Sequence, residues 1–162
     1  MTEKLPIDDV IPALLEALRT TQTTVLIAPP GAGKTTRVPL ALLGEIAGTE
    51  PLLGRSLMLE PRRLAARAAA TRLALSLNEP IGERVGYSVR HEQKRSSRTR
   101  IEAMTDGLFL RRLQNDPELT GINCVIFDEF HERSRNSELA LALVREVQEL
   151  LRPDLCLLLM SA

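Results

Sequence analysis

Short apolar runs alternate with longer amphipathic stretches along this chain. The runs at residues 24–28, 57–60, 100–104, 122–128 and 155–160, with a further candidate at 86–90, are rich in Val, Ile and Leu and show little polar alternation. That pattern predicts strands buried on both faces, as in a parallel sheet. Between them, residues 7–18 place Val10, Ile11, Leu14, Leu15 and Leu18 on one stripe, and residues 137–151 do the same with Leu139, Leu143, Val144, Val147 and Leu150. Both stripes have helical spacing. Helices are also expected over 34–43, over 61–77 with Pro61 at the first helical position, and over 107–113. Residues 44–55 and 90–98 read as loops. Strands alternating with helices predict a doubly wound α/β layer fold with a mostly parallel central sheet, helices on both faces, and ligands at the carboxyl ends of the strands.

Composition narrows the chemistry. The 162 residues fit one domain and bury roughly two-thirds of the unfolded surface. Only 2% are aromatic, so any nucleic-acid site must grip the sugar-phosphate backbone rather than stack bases. Basic and acidic residues number 21 each and cancel, so only local clusters inform. Arg62, Arg63, Arg67 and Arg72 form one cluster; Arg84, Arg90, Lys94, Arg95, Arg98 and Arg100 form another. For the second, a solvated face and a phosphate grip stay open. Cys124 and Cys156 each lie within an apolar run and read as small buried hydrophobes, with no metal-ligand spacing. No secretory pattern or apolar run of membrane-spanning length occurs, and a soluble, cytoplasmic protein is expected.

Two motifs carry the chemistry. Ala28-Pro-Pro-Gly-Ala-Gly-Lys-Thr35 follows a predicted strand and opens a predicted helix. Gly31 and Gly33 allow backbone N–H groups to turn inward around phosphate oxygens, and the helix N-terminus adds a favourable field. Pro30, Ala32 and Thr36 complete the loop, Lys34 supplies a cation for the β- and γ-phosphates, and the Thr35 hydroxyl can ligate Mg²⁺. Ala28 replaces the glycine of the strict pattern, which is tolerable if its backbone stays extended. The second motif, Asp128-Glu-Phe-His131, ends an apolar strand. Beside a phosphate loop, Asp128 is placed to hold Mg²⁺ through water, and Glu129 to orient and deprotonate the attacking water. His131 is a candidate relay to the next motif.

These residues together resemble the DEAH/RHA group of superfamily 2 helicases, and further pieces match in order. Glu60-Pro-Arg-Arg-Leu-Ala-Ala66 looks like motif Ia, Val85-Gly-Tyr-Ser-Val-Arg90 like the following strand, and Thr105-Asp-Gly-Leu-Phe-Leu110 like motif Ib. Ser161-Ala162 looks like the start of motif III. Phe130 stands where alanine is usual. The resemblance spans from about Val25 to the last residue. It implies a RecA-like nucleotide-binding domain over 1–162, ending within motif III, whose partner RecA-like domain lies outside the chain. It implies ATP or another nucleoside triphosphate with Mg²⁺ at Lys34, Thr35, Asp128 and Glu129. RNA backbone contacts, with DNA left open, are implied at Arg62, Arg63, Arg90, Thr105, Asp106 and Gly107. His131, Ser161 and Ala162 would couple hydrolysis to movement. Two other readings are a self-sufficient phosphate-loop kinase and a non-catalytic RNA-binding or docking module. The first leaves the Pro-Arg-Arg and Thr-Asp-Gly motifs unexplained; the second does not need a water-activating glutamate.

Overall fold

The structure, a computed structural model, describes residues 3–162. In chain order its elements are α1 (Ile11–Thr21), β1 (Thr23–Ile27), α2 (Lys34–Leu42), β2 (Arg55–Glu60), α3 (Arg63–Ser76), β3 (Val85–Val89), β4 (Glu92–Lys94), β5 (Ile101–Thr105), α4 (Asp106–Asn115), β6 (Ile122–Phe127), α5 (Arg135–Leu150) and β7 (Cys156–Ser161). The strands form one sheet in the order β1-β7-β6-β2-β5-β3-β4. Every pairing is parallel except β3 with β4.

The apolar runs behave as double-faced strands. In β2, Leu57 and Leu59 point to one side and Met58 to the other; in β6, Val125 and Phe127 oppose Cys124 and Ile126. One face packs against α1, α2 and α3 through Leu14, Leu18, Val38 and Leu73. The other packs against α4 and α5 through Phe109, Leu113, Val144 and Val147. Cys124 and Cys156 are register neighbours across β6 and β7, and both are buried free thiols, as their apolar surroundings predict. No helix among the described residues is long and apolar enough to cross a membrane.

Three expectations about elements need correction. The helix expected over 7–18 is split into a 3-10 helix, Pro6–Asp9, followed by α1. Pro12 explains the break: in a helix begun at Ile7 its ring would meet the carbonyl of Asp8, whereas in the first turn of α1 it costs nothing. Pro61 precedes α3 instead of opening it, because the chain leaves β2 through Arg62 in an extended conformation (φ −138°). Residues 92–94, expected within a loop, form β4. This polar edge strand is mostly exposed and so carries no apolar alternation to signal it. It also explains Gly86, since a Cβ there would lie 2.3 Å from the Lys94 carbonyl oxygen.

Because the main strands are parallel, their carboxyl ends share one edge of the sheet. Ile27, Glu60, Val89, Thr105, Phe127 and Ser161 all end strands there. Each motif singled out in the sequence follows one of these ends.

Candidate functional site

After β1 the chain loops to Gly33, the N-cap of α2, with Gly31 at φ 80° and Gly33 at φ 100°. The φ of 100° at Gly33 favours glycine there, and a Cβ would also press on Leu5 Cδ1. Ala28 is absent from the residues with positive φ, so its side chain is accommodated, and its N–H donates to the Ser161 carbonyl at 3.1 Å. The 3-10 helix braces the loop from outside. Ile7 N–H donates to the Ala32 carbonyl at 3.2 Å, and the Arg37 guanidinium grips both oxygens of Asp8 at 2.8 and 2.9 Å. That guanidinium holds the Asp8 carboxyl below its ordinary range. Lys34 is buried, and its ammonium donates back to the carbonyls of Ala28 (2.5 Å) and Pro29 (3.2 Å). An anion in the loop could take over those donors. Thr36 Oγ1 donates to the Gly33 carbonyl at 3.3 Å and so tightens the first turn of α2.

The acidic pair meets this loop. Thr35 Oγ1 donates to Asp128 Oδ2 at 2.8 Å, while the Glu129 N–H donates to Asp128 Oδ1 at 2.9 Å. A hydroxyl ligand hydrogen-bonded to a carboxylate that can accept from a water of the ion suits Mg²⁺, which keeps several of its waters. No three His, Cys, Asp or Glu among the described residues are arranged to hold a metal ion by themselves, so phosphate and water would supply the remaining positions. Glu129 adopts a left-handed backbone (φ 54°), which turns its side chain away from Asp128 towards His131. His131 Nε2 lies 3.1 Å from Glu129 Oε2, and Nδ1 accepts the Ala162 N–H at 3.1 Å. The second contact assigns the ring proton to Nε2, which faces the Glu129 carboxylate at 3.1 Å. Phosphate loop, acidic pair and the end of β7 thus form one connected network, with Ser161 one residue from the His131 contact.

A residue that sequence reasoning assigned no role completes the pocket. Glu60, at the end of β2, is 2% exposed and lies beside Asp128, and its Oε1 has no partner among the described residues. Burial above all, then Asp128 and the neighbouring acids, pushes its carboxyl from 4.5 up to about 11. The unfolded chain releases this proton above pH 4.5 and the folded chain keeps it until about 11, so this group makes stability fall as pH rises through that window. Glu60→Gln removes that loss. In metal-free buffer at pH 7 it is expected to gain at most about 3 kcal/mol. A wild-type and variant melt series from pH 5 to 9 checks this (the range taken from within the window above). A variant less stable at every pH would mean that Glu60 folds as an anion.

The remaining candidates converge elsewhere on the same edge. Arg62, Arg63, Arg90, Thr105, Asp106 and Gly107 all line a single groove of about 820 Å³. Arg62 caps α3, Arg63 opens it, and Thr105 Oγ1 caps α4 by accepting from Leu108 N–H at 3.4 Å. Arg62 is also ion-paired with Glu132 at 2.9 Å, which ties the groove to the turn holding His131. Sequence reasoning missed Arg111, Ser134 and Asn136 in this lining. Arg111 could have been found, because it stands one helical turn after Gly107. The basic run between residues 84 and 100 is dispersed. Arg84 pairs with Glu45 and Glu79, Arg95 with Glu102, and Arg98 with Glu83, while Arg100 binds the carbonyls of Leu52 and Gly54. Of that run, Arg90 lines the groove.

Residues 8–162 match the DEAD/DEAH box helicase family. The chain is 50% identical over 158 residues to the ATP-dependent RNA helicase HrpB of Escherichia coli, covering 98% of the chain and 19% of that protein. It is 39% identical over 161 residues to the DExH-box ATP-dependent RNA helicase DExH1 of Arabidopsis thaliana, covering 99% of the chain and 16% of that relative. A crystal structure of E. coli DExH-box NTPase HrpB superposes with a TM-score of 0.91 at 49% identity, covering all of this chain and 20% of that one. The chain therefore spans about a fifth of the length of these relatives. With a RecA-like sheet and a family match over residues 8–162, the chain belongs to the DEAD/DEAH box helicase family.

Proposed function

We propose that this domain binds MgATP and forms half of the hydrolytic site of an RNA helicase motor. The observation that carries this reading is the 2.8 Å contact between Thr35 and Asp128, with Glu129 held beside it by His131. The loop N–H groups, Lys34 and the N-terminus of α2 bind the phosphates. Thr35 and Asp128 would hold Mg²⁺, which neutralises charge on the β- and γ-phosphates when bound. Glu129 orients a water against the γ-phosphorus and accepts its proton as the β–γ anhydride bond breaks. His131 fixes the Glu129 carboxylate through Nε2 and reports its position to Ala162 through Nδ1, which gives a path from hydrolysis to the end of β7. A second RecA-like domain, implied by the resemblance, closes over the nucleotide and supplies arginines worth ~10³–10⁵ in rate. The present chain alone then binds nucleotide and hydrolyses it slowly. Adjacent free thiols at Cys124 and Cys156 suit a reducing cytoplasm.

The arginine-lined groove takes the phosphates of single-stranded RNA. Binding should weaken linearly with log salt, with a slope of about −0.7 per phosphate contact on a single strand. Arg63→Ala should reduce the magnitude of that slope by about 0.7 and weaken binding to any sequence alike. Titrations of an oligouridylate at several salt concentrations check this. An unchanged slope would remove Arg63 from the phosphate grip.

A further inference from the structure

The groove that gathers four arginines also contains one carboxylate. Asp106, the first residue of α4, is 6% exposed and lines the groove with Arg62, Arg63, Arg90 and Arg111. Ser134 Oγ donates to its Oδ2 at 3.3 Å, and its Oδ1 receives no hydrogen bond among the described residues. Nor does it form an ion pair among them, and burial pushes its carboxyl up to about 6, so it is ionised at neutral pH.

Oδ1 is not among the buried atoms without a partner, so it is open to the groove, where an anion repels phosphate and favours a ligand that brings it a donor. The capping of α4 does not require the acid. The capping role for α4 is filled by the Thr105 hydroxyl, and the helix field tolerates a negative charge at this end without calling for one in the groove wall. Along a nucleic-acid backbone the donor available between phosphates is the ribose 2′-hydroxyl, which DNA lacks. We propose that Asp106 is an RNA-over-DNA specificity residue, accepting a hydrogen bond from a ribose 2′-hydroxyl while the surrounding arginines hold the flanking phosphates. Ser134 orients the carboxylate through Oδ2 and leaves Oδ1 for the sugar. This inference rests on the groove being the nucleic-acid site proposed above.

The test is binding of the chain at neutral pH to oligouridylate, oligodeoxyuridylate and 2′-fluoro-oligouridylate, the last lacking the hydroxyl donor. A hydrogen bond to a charged acceptor predicts ribose binding about tenfold tighter than deoxyribose, with the 2′-fluoro strand following the deoxy strand. Asp106→Ala brings ribose and deoxyribose affinities together. Asp106→Asn, which keeps the shape and the Ser134 contact but is a weaker acceptor, lowers the preference part of the way. The proposal is overturned if the 2′-fluoro strand binds as the ribose strand does, or if both variants keep the wild-type ratio. Should the alanine variant fail to fold, the asparagine variant and the 2′-fluoro strand still decide. Failure of the groove reading looks different: no strand binds, or binding ignores both salt and Arg63→Ala, and then the inference falls with it.

Discussion

Glu129→Gln is expected to lower RNA-stimulated ATP hydrolysis by about 10²–10⁴-fold while nucleotide binding stays close to wild type. The assay belongs in the longer protein that carries the proposed second domain, where turnover is fast enough to lose. The geometry makes the split specific. Glu129 lies outside the phosphate loop, and its backbone is held by the Asp128 carboxylate and its side chain by His131. Glutamine keeps the size and an oxygen to face His131 Nε2, so the pocket keeps its shape. What it loses is the ability to take a proton from water. Steady-state hydrolysis and equilibrium binding of a nucleotide analogue, measured on the same preparations, separate the two effects. Turnover within a few-fold of wild type would exclude Glu129 as the base; a parallel loss of binding would show that it supports the cradle instead.

Lys34→Ala is expected to weaken nucleotide binding by about 10–100-fold, and hydrolysis falls with it. The ammonium is buried and already directed across the loop by the Ala28 and Pro29 carbonyls, so little ordering is left to do when phosphate arrives. Alanine cannot replace those contacts, and it leaves the two carbonyls facing the incoming phosphates. Calorimetric titration with ADP and Mg²⁺ reads the change directly. No measurable binding in either protein would favour the non-catalytic docking module, in which the loop is only a turn, and unaltered affinity would remove Lys34 from the phosphate site.

Most residues of the proposed nucleotide site could be picked out from local sequence because its chemistry is local. Gly31, Gly33 and Lys34 sit on one loop, and Asp128, Glu129 and His131 on one strand end. Their meeting at Thr35 follows from the parallel sheet, which puts all carboxyl ends on one edge. What escaped depends on tertiary neighbours. Glu60 reads as an ordinary charged residue before Pro61, and only the packing of β2 between β5 and β6 buries it beside Asp128. The run from Arg84 to Arg100 reads as a basic patch, yet acids from distant segments, such as Glu45 and Glu102, neutralise much of it. The brace formed by Ile7, Asp8 and Arg37 was hidden by an apolar stripe that promised a longer helix, although Pro12 already marked where that helix could not run.

The central claim is that the phosphate loop and the acidic box form one site for a magnesium nucleotide. It is tested most directly by thermal melts of this chain with a non-hydrolysable ATP analogue, with and without Mg²⁺. Ligand at about 100 times its dissociation constant adds ~2.7 kcal/mol. For a domain of this size that raises the melting temperature by roughly 5–10 °C. The account predicts that rise when analogue and Mg²⁺ are present together, and a clearly smaller one when Mg²⁺ is left out. No rise with both present, or the same rise without Mg²⁺, would contradict it.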